Sequence, residues 1–415
     1  MIEWPQVCPI VWNKTWSPEM LRLLEASPFN AVLHDDPSTE LLQSAERRNI
    51  RVLKSTEIPA APLSRLDARG APVVIVRQSL WPGVRAFNEN GAAAAGPTGS
   101  PWIDSNGWLV QVARAKAPGS AIWFAHQPPA NRINSPAAYS LAVADAMAFG
   151  AKWVIAFDDS LAHALASAEP AALQTWQSIV TIARWFLSQA PEGGYPPVAR
   201  LAVLSEFENP VVDDAVNLLA RRQVPFLAAL PQNVSRLLLS RMAAIYCDSF
   251  PPESLLQFAK SGGLLITPAP PSASAIACNP SASPRFRSCP VEKGAWAYSL
   301  SAPKDPYLLA SDIHLLLSRR EDLVRLWNAG TLYSYYREAD DGTRATVDLV
   351  NYAGRVSNDE ATLQIRAPYV AARWISPGAP PKNIDVRHVS SGIEVDLPKF
   401  PVCARVELSA RKRSA

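Results

Sequence analysis

The chain has 415 residues, of which 48% are hydrophobic and 19% charged, with a formal net charge of +3. That is more chain than one core serves, so two or three folded domains are expected, and the composition excludes a disordered protein. The small charge, with no basic stripe of interleaved aromatics, argues against nucleic-acid binding, and no apolar run reaches the length of a membrane span.

The start, Met1-Ile2-Glu3-Trp4-Pro5, lacks the charged segment and apolar core of a signal peptide. Either the protein is cytoplasmic or such a segment has been removed, which would place it in the periplasm or outside the cell. Five cysteines stand at 8, 247, 278, 289 and 403, and none forms a CxxC pair. A zinc site is therefore not expected, and nothing calls for another cofactor. Cys278 and Cys289 flank a Pro/Ser-rich loop, where a disulfide or two thiols are both open readings.

From residue 1 to 195, short apolar runs alternate with helical stretches. Pro9–Trp12, Phe29–Leu33, Ile50–Leu53, Pro72–Val76, Ala121–Ala125 and Lys152–Phe157 read as buried strands. Between them lie predicted helices at Met20–Ala26, Ser38–Asn49, Trp108–Ala115, Pro136–Phe149 and Ala171–Gln189. Ser17-Pro18 and Ser135-Pro136 supply helix starts, and Gly150 supplies a stop. Six strands in parallel rhythm suggest a (β/α) barrel, small or incomplete against the usual eight. The long Gly/Ala/Pro-rich connection Ser79–Pro101 reads as a functional or mobile loop.

The rhythm restarts after Pro196-Pro197. From 197 to 330, strands at Arg200–Leu204, Val224–Leu230, Ala243–Cys247 and Leu264–Ile266 alternate with helices at Val211–Arg222, Val234–Arg241 and Pro252–Ser261. That is the pattern of a doubly wound, flavodoxin-like α/β domain. A break at Pro268–Pro290 and a helix at Leu308–Ala329 complete it. From 331 to 415 the chain reads as seven short alternating strands, including Ile384–Val389, with hairpin turns at Asp340-Asp341-Gly342 and Ser390-Ser391-Gly392. A small β-sandwich is expected there.

Barrel sites form at the carboxyl ends of the strands. Polar groups stand there repeatedly: Asn13 and Lys14; His34, Asp35 and Asp36; Ser55 and Glu57; Arg77 and Gln78; His126 and Gln127; Asp158 and Asp159. Glycoside hydrolysis needs two carboxyls across a cleft, one protonated and one ionised. Asp35, Asp158 and Asp159 are candidates from opposite parts of such a barrel. Asp36-Pro37-Ser38 and Asp159-Ser160 are also good turn and cap chemistry. The run Pro101-Trp102-Ile103-Asp104-Ser105-Asn106-Gly107-Trp108 sets an acid and an amide between two indoles, as a sugar ring prefers. Asp104 is accordingly the fourth candidate acid or base, unless it only caps the following helix. Trp12, Asn13, His34, Glu57, Arg77, Trp102, Asn106, His126 and Gln127 are candidates to line sugar subsites. His34 before two aspartates has no second histidine at helical spacing, so hydrogen bonding is favoured over metal binding.

Two stretches carry a resemblance. Arg344–Tyr352, with Val350-Asn351-Tyr352, looks like the strand that opens the C-terminal sandwich of beta-galactosidases. Ala142–Asp159, with Ala144-Asp145-Ala146-Met147-Ala148-Phe149-Gly150 running into a Trp-containing strand, looks like the last barrel units of glycosyl hydrolases. In element order the chain resembles beta-galactosidases built from a TIM barrel, a class I glutamine-amidotransferase-like domain and a C-terminal β-sandwich. The resemblance implies a glycoside-hydrolase-like enzyme acting on a carbohydrate, with self-association through the middle domain.

The chain departs from that pattern at named places. The family's Asn-Glu acid/base pair follows the fourth strand, whereas here that strand ends in Arg77-Gln78, and Asn88-Glu89 lies further on. No glutamate follows a late strand. Cys247, in Tyr246-Cys247-Asp248, lacks the glycines of a nucleophile elbow, and no His-x-Glu follows, so glutamine hydrolysis is not expected. These absences keep an alternative open: a non-catalytic carbohydrate-binding or assembly protein on the same architecture.

Overall fold

The computed structural model describes all residues except 1–3, 67–69, 78, 86–100, 130–133, 190–194, 234–242, 248–250, 269–277, 357–359 and 411–415. The expected helix Val234–Arg241, the Asn88-Glu89 pair and Gln78 lie outside the described residues.

Two parallel sheets build the first unit. One joins β1 (Pro9–Val11), β2 (Ala31–Leu33) and β3 (Arg51–Leu53) in that order. The hairpin β6 (Gly83–Val84) and β7 (Ile103–Asp104) stands apart from the second sheet. That sheet joins β4 (Ala60–Ala61), β5 (Val73–Val76), β8 (Ala121–Phe124) and β9 (Lys152–Trp153). A parallel bridge between Ile10 and Ile155 links the two, with the Val11 amide donating to the Ile155 carbonyl at 2.7 Å. The seven strands thus curl around one another.

Alternation explains the curl. Ala31, Leu33, Val73, Ile75, Trp123 and Val154 form one small apolar cluster. Their neighbours Val32, Val74, Val76, Ile122, Phe124, Trp153 and Ile155 pack into a second, larger one. Strands buried on both faces must be apolar throughout, as β2 and β5 are, while Arg51 on β3 and Lys152 on β9 are less buried. The larger cluster takes in the helices α1 (Arg22–Glu25), α2 (Thr39–Arg47), α3 (Gly107–Lys116), α4 (Pro136–Ala148), α5 (Asp159–Ala166) and α6 (Pro170–Ser188). Ser38, Ser135 and Asp158 cap α2, α4 and α5 by accepting amide hydrogens.

A seven-stranded sheet follows: β10 (Leu201–Leu204), β11 (Phe226–Ala229), β12 (Ala243–Tyr246), β13 (Leu264–Thr267), β14 (Asn279–Pro280), β15 (Phe286–Val291) and β16 (Gly294–Ser299). Its order is β11-β10-β12-β13-β16-β15-β14, parallel as far as β16 and antiparallel beyond. Helix α7 (Pro210–Arg221) and the helix Pro306–Leu317 pack on one face, Glu253–Lys260 on the other.

The last unit has two antiparallel sheets. Val324–Trp327 (β17), Thr362–Ile365 (β20), Arg387–Val389 (β23) and Gly392–Asp396 (β24) make one. Leu332–Glu338 (β18), Arg344–Asn351 (β19), Ala371–Ile375 (β21), Lys382–Ile384 (β22) and Cys403–Ser409 (β25) make the other. Val347, Leu349, Leu363, Ile365, Val395 and Val406 belong to their shared core.

Four expectations are corrected. The helix read over Leu308–Ala329 ends at Leu317, because Ser318 turns to φ +62°, and Val324–Trp327 becomes a strand. The break at Pro268–Pro290 contains β14 and most of β15, which pairs with β16. Ile384–Val389 divides into strands of different sheets. Ala60–Ala61 adds a seventh strand beside β5.

Cys278 and Cys289 are joined by a disulfide at the outer end of the middle sheet. Across that sheet Gly294 is packed so closely that a Cβ would sit 2.2 Å from the Ala259 carbonyl oxygen and 2.4 Å from that of Gly263. Both are backbone atoms that cannot swing aside. Gly294→Ala is expected to cost about 1–3 kcal/mol through overpacking, measured as a lowered urea midpoint with an unchanged slope.

Candidate functional site

The register of the first unit decides which strand-end residues continue the inward-facing positions. One step of two from Val11, Leu33, Leu53 and Ile75 gives Asn13, Asp35, Ser55 and Arg77; from Trp123 and Val154 it gives Ala125 and Ala156, and a second step gives Gln127 and Asp158. The six end points are polar, above a small apolar plug. Arg77 and Gln127 are exposed, and Asn13 is half-buried. The Asn13 carboxamide oxygen accepts from the Thr15 amide at 2.9 Å and its hydroxyl at 2.7 Å.

Asp35 is exposed and tied to the next strand end. It accepts from the Ser55 amide at 2.8 Å, the Ser55 hydroxyl at 2.7 Å and the Thr56 amide at 3.3 Å. The Ser55 hydroxyl is the main reason its pKa lies below the usual carboxylate value. His34 is half-buried and takes the Asp36 amide on Nδ1 at 3.1 Å. Glu57 is exposed in the short turn Ser55–Glu57.

Asp158 is half-buried at the start of α5. One carboxylate oxygen accepts from the Leu161 amide at 2.8 Å. The other accepts the Tyr139 hydroxyl in a short hydrogen bond and the Asn134 amide at 3.3 Å. Burial and the neighbouring carboxylate hold the Tyr139 phenol in its protonated form, so it acts as a donor here. Asp159, the next residue, is exposed in the first turn of α5.

An aromatic cluster lies beside this carboxylate. His126 is 1% exposed and stacks on Trp153 with ring centroids 5.1 Å apart. Trp81 meets His126, Tyr139 and Trp153 edge-on at 5.4–5.8 Å. Among the described residues neither ring nitrogen of His126 has a hydrogen-bond partner, and burial lowers its pKa to about 3. Trp12 is also buried, edge-on to Trp16 at 5.4 Å. His126 and Trp12 therefore lie beneath the surface and not on the wall of an open cleft.

Asp104 and its neighbours occupy a separate place, on the hairpin β6–β7. Arg85 grips Asp104 through Nε at 2.8–2.9 Å and through Nη2 at 2.8 Å. Trp102 is 38% exposed, with the guanidiniums of Arg85 and Arg221 over its ring at 4.8 and 4.7 Å. Asn106 is fully buried. Its side-chain amide donates to the Leu80 carbonyl at 2.8 Å and to Asp145 at 2.6 Å, and its oxygen accepts from the Leu80 amide at 2.8 Å. Asp35, Asp104 and Asp158 are each held by a different set of partners.

Sequence reasoning passed over Asp145. It is buried on α4, and it accepts from the Tyr352 hydroxyl at 2.6 Å and the Asn106 amide at 3.1 Å. Burial raises its pKa to about 6, against the pull of those donors. Arg85, Trp81 and Tyr139 were also passed over. Among the described residues no group of three or more His, Cys, Asp or Glu could hold a metal ion, and no helix is long and apolar enough to cross a membrane.

No protein-family profile matches the chain, and no curated protein does. Solved structures do. The fold resembles that of glycosidases. α-L-Fucosidase isoenzyme 2 from Paenibacillus thiaminolyticus aligns over 95% of this chain and 79% of its own, at 10% identity and a TM-score of 0.52. A catalytic mutant of a GH42 beta-galactosidase from G. stearothermophilus aligns over 89% of this chain and 66% of its own, at 10% identity and a TM-score of 0.53. The beta-galactosidase from Bacillus circulans sp. alkalophilus aligns over 98% and 99%, at 9% identity and a TM-score of 0.53. At such identities the likeness concerns the fold.

Proposed function

We propose that the chain is a glycoside-hydrolase-like enzyme whose sugar-binding face is the strand-end rim of the first unit. The observation that supports it is the run of six polar groups, Asn13 to Asp158, just beyond the carboxyl ends of the parallel strands in an α/β fold shared with glycosidases. On this reading the first unit is an incomplete (β/α) barrel. The middle unit is flavodoxin-like, since its parallel strands run 2-1-3-4-5 when numbered within it. The last unit is a β-sandwich. Domain limits at 195–197 and 330–331, and self-association through the middle unit, belong to the same proposal, and light scattering tests the latter.

Asp158 is the carboxylate best placed to stabilise positive charge on a sugar or to attack it. It is half-buried and oriented by Tyr139 and Asn134. Asp35, Asp159 and Asp104 are the candidate partners. Arg77, Gln127, Asn13, His34 and Glu57 would hydrogen-bond hydroxyls.

A specific observation favours a second reading, sugar binding without hydrolysis. A glycosidase acid must carry a proton, yet Ser55 favours the ionised form of Asp35, and Arg85 occupies both oxygens of Asp104.

A hydrolysis screen against aryl glycosides and oligosaccharides separates the two. Asp158→Asn, which keeps the helix cap, is expected to lose turnover with the melting temperature nearly unchanged. Full activity in both Asp158→Asn and Asp104→Asn would sink the enzymatic assignment. Sugar binding without any turnover would establish the second reading.

A further inference from the structure

The three units meet around an open cleft of about 970 Å³, separate from the strand-end rim. Trp102 enters it from the first unit, Arg221 and Arg222 from the end of α7, and Tyr307 from the first turn of the helix Pro306–Leu317. Trp327 enters it from the end of β17. Four arginines line it against two aspartates.

Those aspartates are already engaged. Asp305 accepts the Tyr307 and Leu308 amides as a helix cap. Asp322 takes Arg325 Nε at 3.1 Å and lies 3.0 Å from His314 Nε2. With Asp322 paired to Arg325, Asp305 alone stands against Arg221, Arg222 and the exposed Arg319, so the described lining keeps an excess of positive charge. Two of these guanidiniums are stacked: Arg221 lies 4.7 Å from the Trp102 ring centroid and Arg222 lies 4.9 Å from that of Tyr307. Stacking restricts a guanidinium while keeping its N–H edge available for a carboxylate or sulfate. Trp327, 48% exposed, has the Arg325 guanidinium 5.8 Å from its ring centroid and offers its exposed remainder as an apolar platform.

A neutral sugar would use bare aromatic faces and uncharged hydrogen-bonding groups. Here Trp102, Tyr307 and Trp327 each carry a guanidinium, so the cleft presents charge beside a half-exposed indole. We propose that it binds an acidic oligosaccharide, its carboxylates or sulfates on Arg222 and Arg319 and a sugar ring on Trp327. This rests on the carbohydrate reading above and names the class of glycan the protein recognises.

Isothermal titration of the full chain tests it, with tetragalacturonate and a heparin-derived tetrasaccharide as acidic probes. Cellotetraose, polyglutamate and a single-stranded oligonucleotide serve as controls. At least one acidic saccharide is expected to bind. Arg222→Gln, Arg319→Gln and Trp327→Ala should each weaken binding roughly tenfold, as loss of a charge-assisted contact or a stacking face does, with melting temperatures unchanged. The outcome that overturns it is no acidic binding, or binding indifferent to all three substitutions. Equal or tighter binding of cellotetraose, polyglutamate or the oligonucleotide also overturns it. Cellotetraose binding or glycoside turnover without acidic binding removes this inference alone. Silence toward every saccharide, with no turnover, removes the carbohydrate reading as well.

Discussion

Removing the carboxylate of Asp348 is expected to destabilise the fold by about 3–5 kcal/mol. Asp348 is 1% exposed on β19. Arg405 meets it through Nε at 2.7 Å and Nη2 at 3.1 Å, and Arg337 through Nη2 at 3.0 Å. Arg405 is itself 2% exposed. Asp348→Ala would leave two largely desolvated guanidiniums without their counter-charge, which is why the loss exceeds that of the hydrogen bonds alone. Both arginines also reach across to the first unit, donating to the carbonyls of Gln189 and Ala148. The damage should therefore spread beyond the last unit. The control is Asp396→Ala, which removes the half-exposed partner of Arg387 and should cost less than about 1 kcal/mol. Urea unfolding of both variants checks the contrast, and similar small losses in the two would show that the buried cluster is not a structural tie.

Much of the strand pattern was legible because parallel strands buried on both faces have to be continuous apolar runs. Val73–Val76 and Leu201–Leu204 read correctly for that reason. Ala60–Ala61 did not, since two alanines between prolines carry no periodicity and pair only because β5 lies alongside. The strand Val324–Trp327 was hidden by the apolar helix before it. What ends that helix is the left-handed backbone of Ser318, which a serine does not advertise.

The strand-end candidates were legible for a related reason: inward and outward positions alternate, so a polar residue two places beyond a buried one can be read from the chain. Their partners could not be. Asp145 sits in a run of alanines, and its partners Asn106 and Tyr352 are 39 and 207 residues away. Asp104 was singled out for its indole neighbours, but its guanidinium partner Arg85 is delivered by the β6–β7 hairpin. His126 was read as a sugar contact because it ends a strand, while the Trp81 and Trp153 rings that enclose it come from other segments.

That enclosure sets the pH behaviour. Folding holds His126 neutral, with a pKa of about 3 against an ordinary 6.5. Between those values the unfolded chain binds a proton that the folded chain refuses, so stability is full above pH 6.5 and falls as the pH drops toward 3. At about 1.4 kcal/mol per pH unit, the ceiling is about 5 kcal/mol. Asp145 works in the opposite direction. Its pKa, raised from 3.8 to about 6, makes the folded chain hold the extra proton, so its contribution falls as pH rises from 3.8 to 6. The two partly cancel between pH 3.8 and 6, and the wild-type curve there hides both. His126→Phe removes one of them. Relative to wild type, its unfolding free energy should rise by about 3 kcal/mol between pH 7 and pH 4. His126→Gln, also neutral, should show the same change whatever its offset at pH 7. Urea titrations at the two pH values measure it. Parallel pH dependences in wild type and both variants would mean that His126 takes up its proton in the folded protein, which its burial against Trp81, Phe124 and Trp153 argues against.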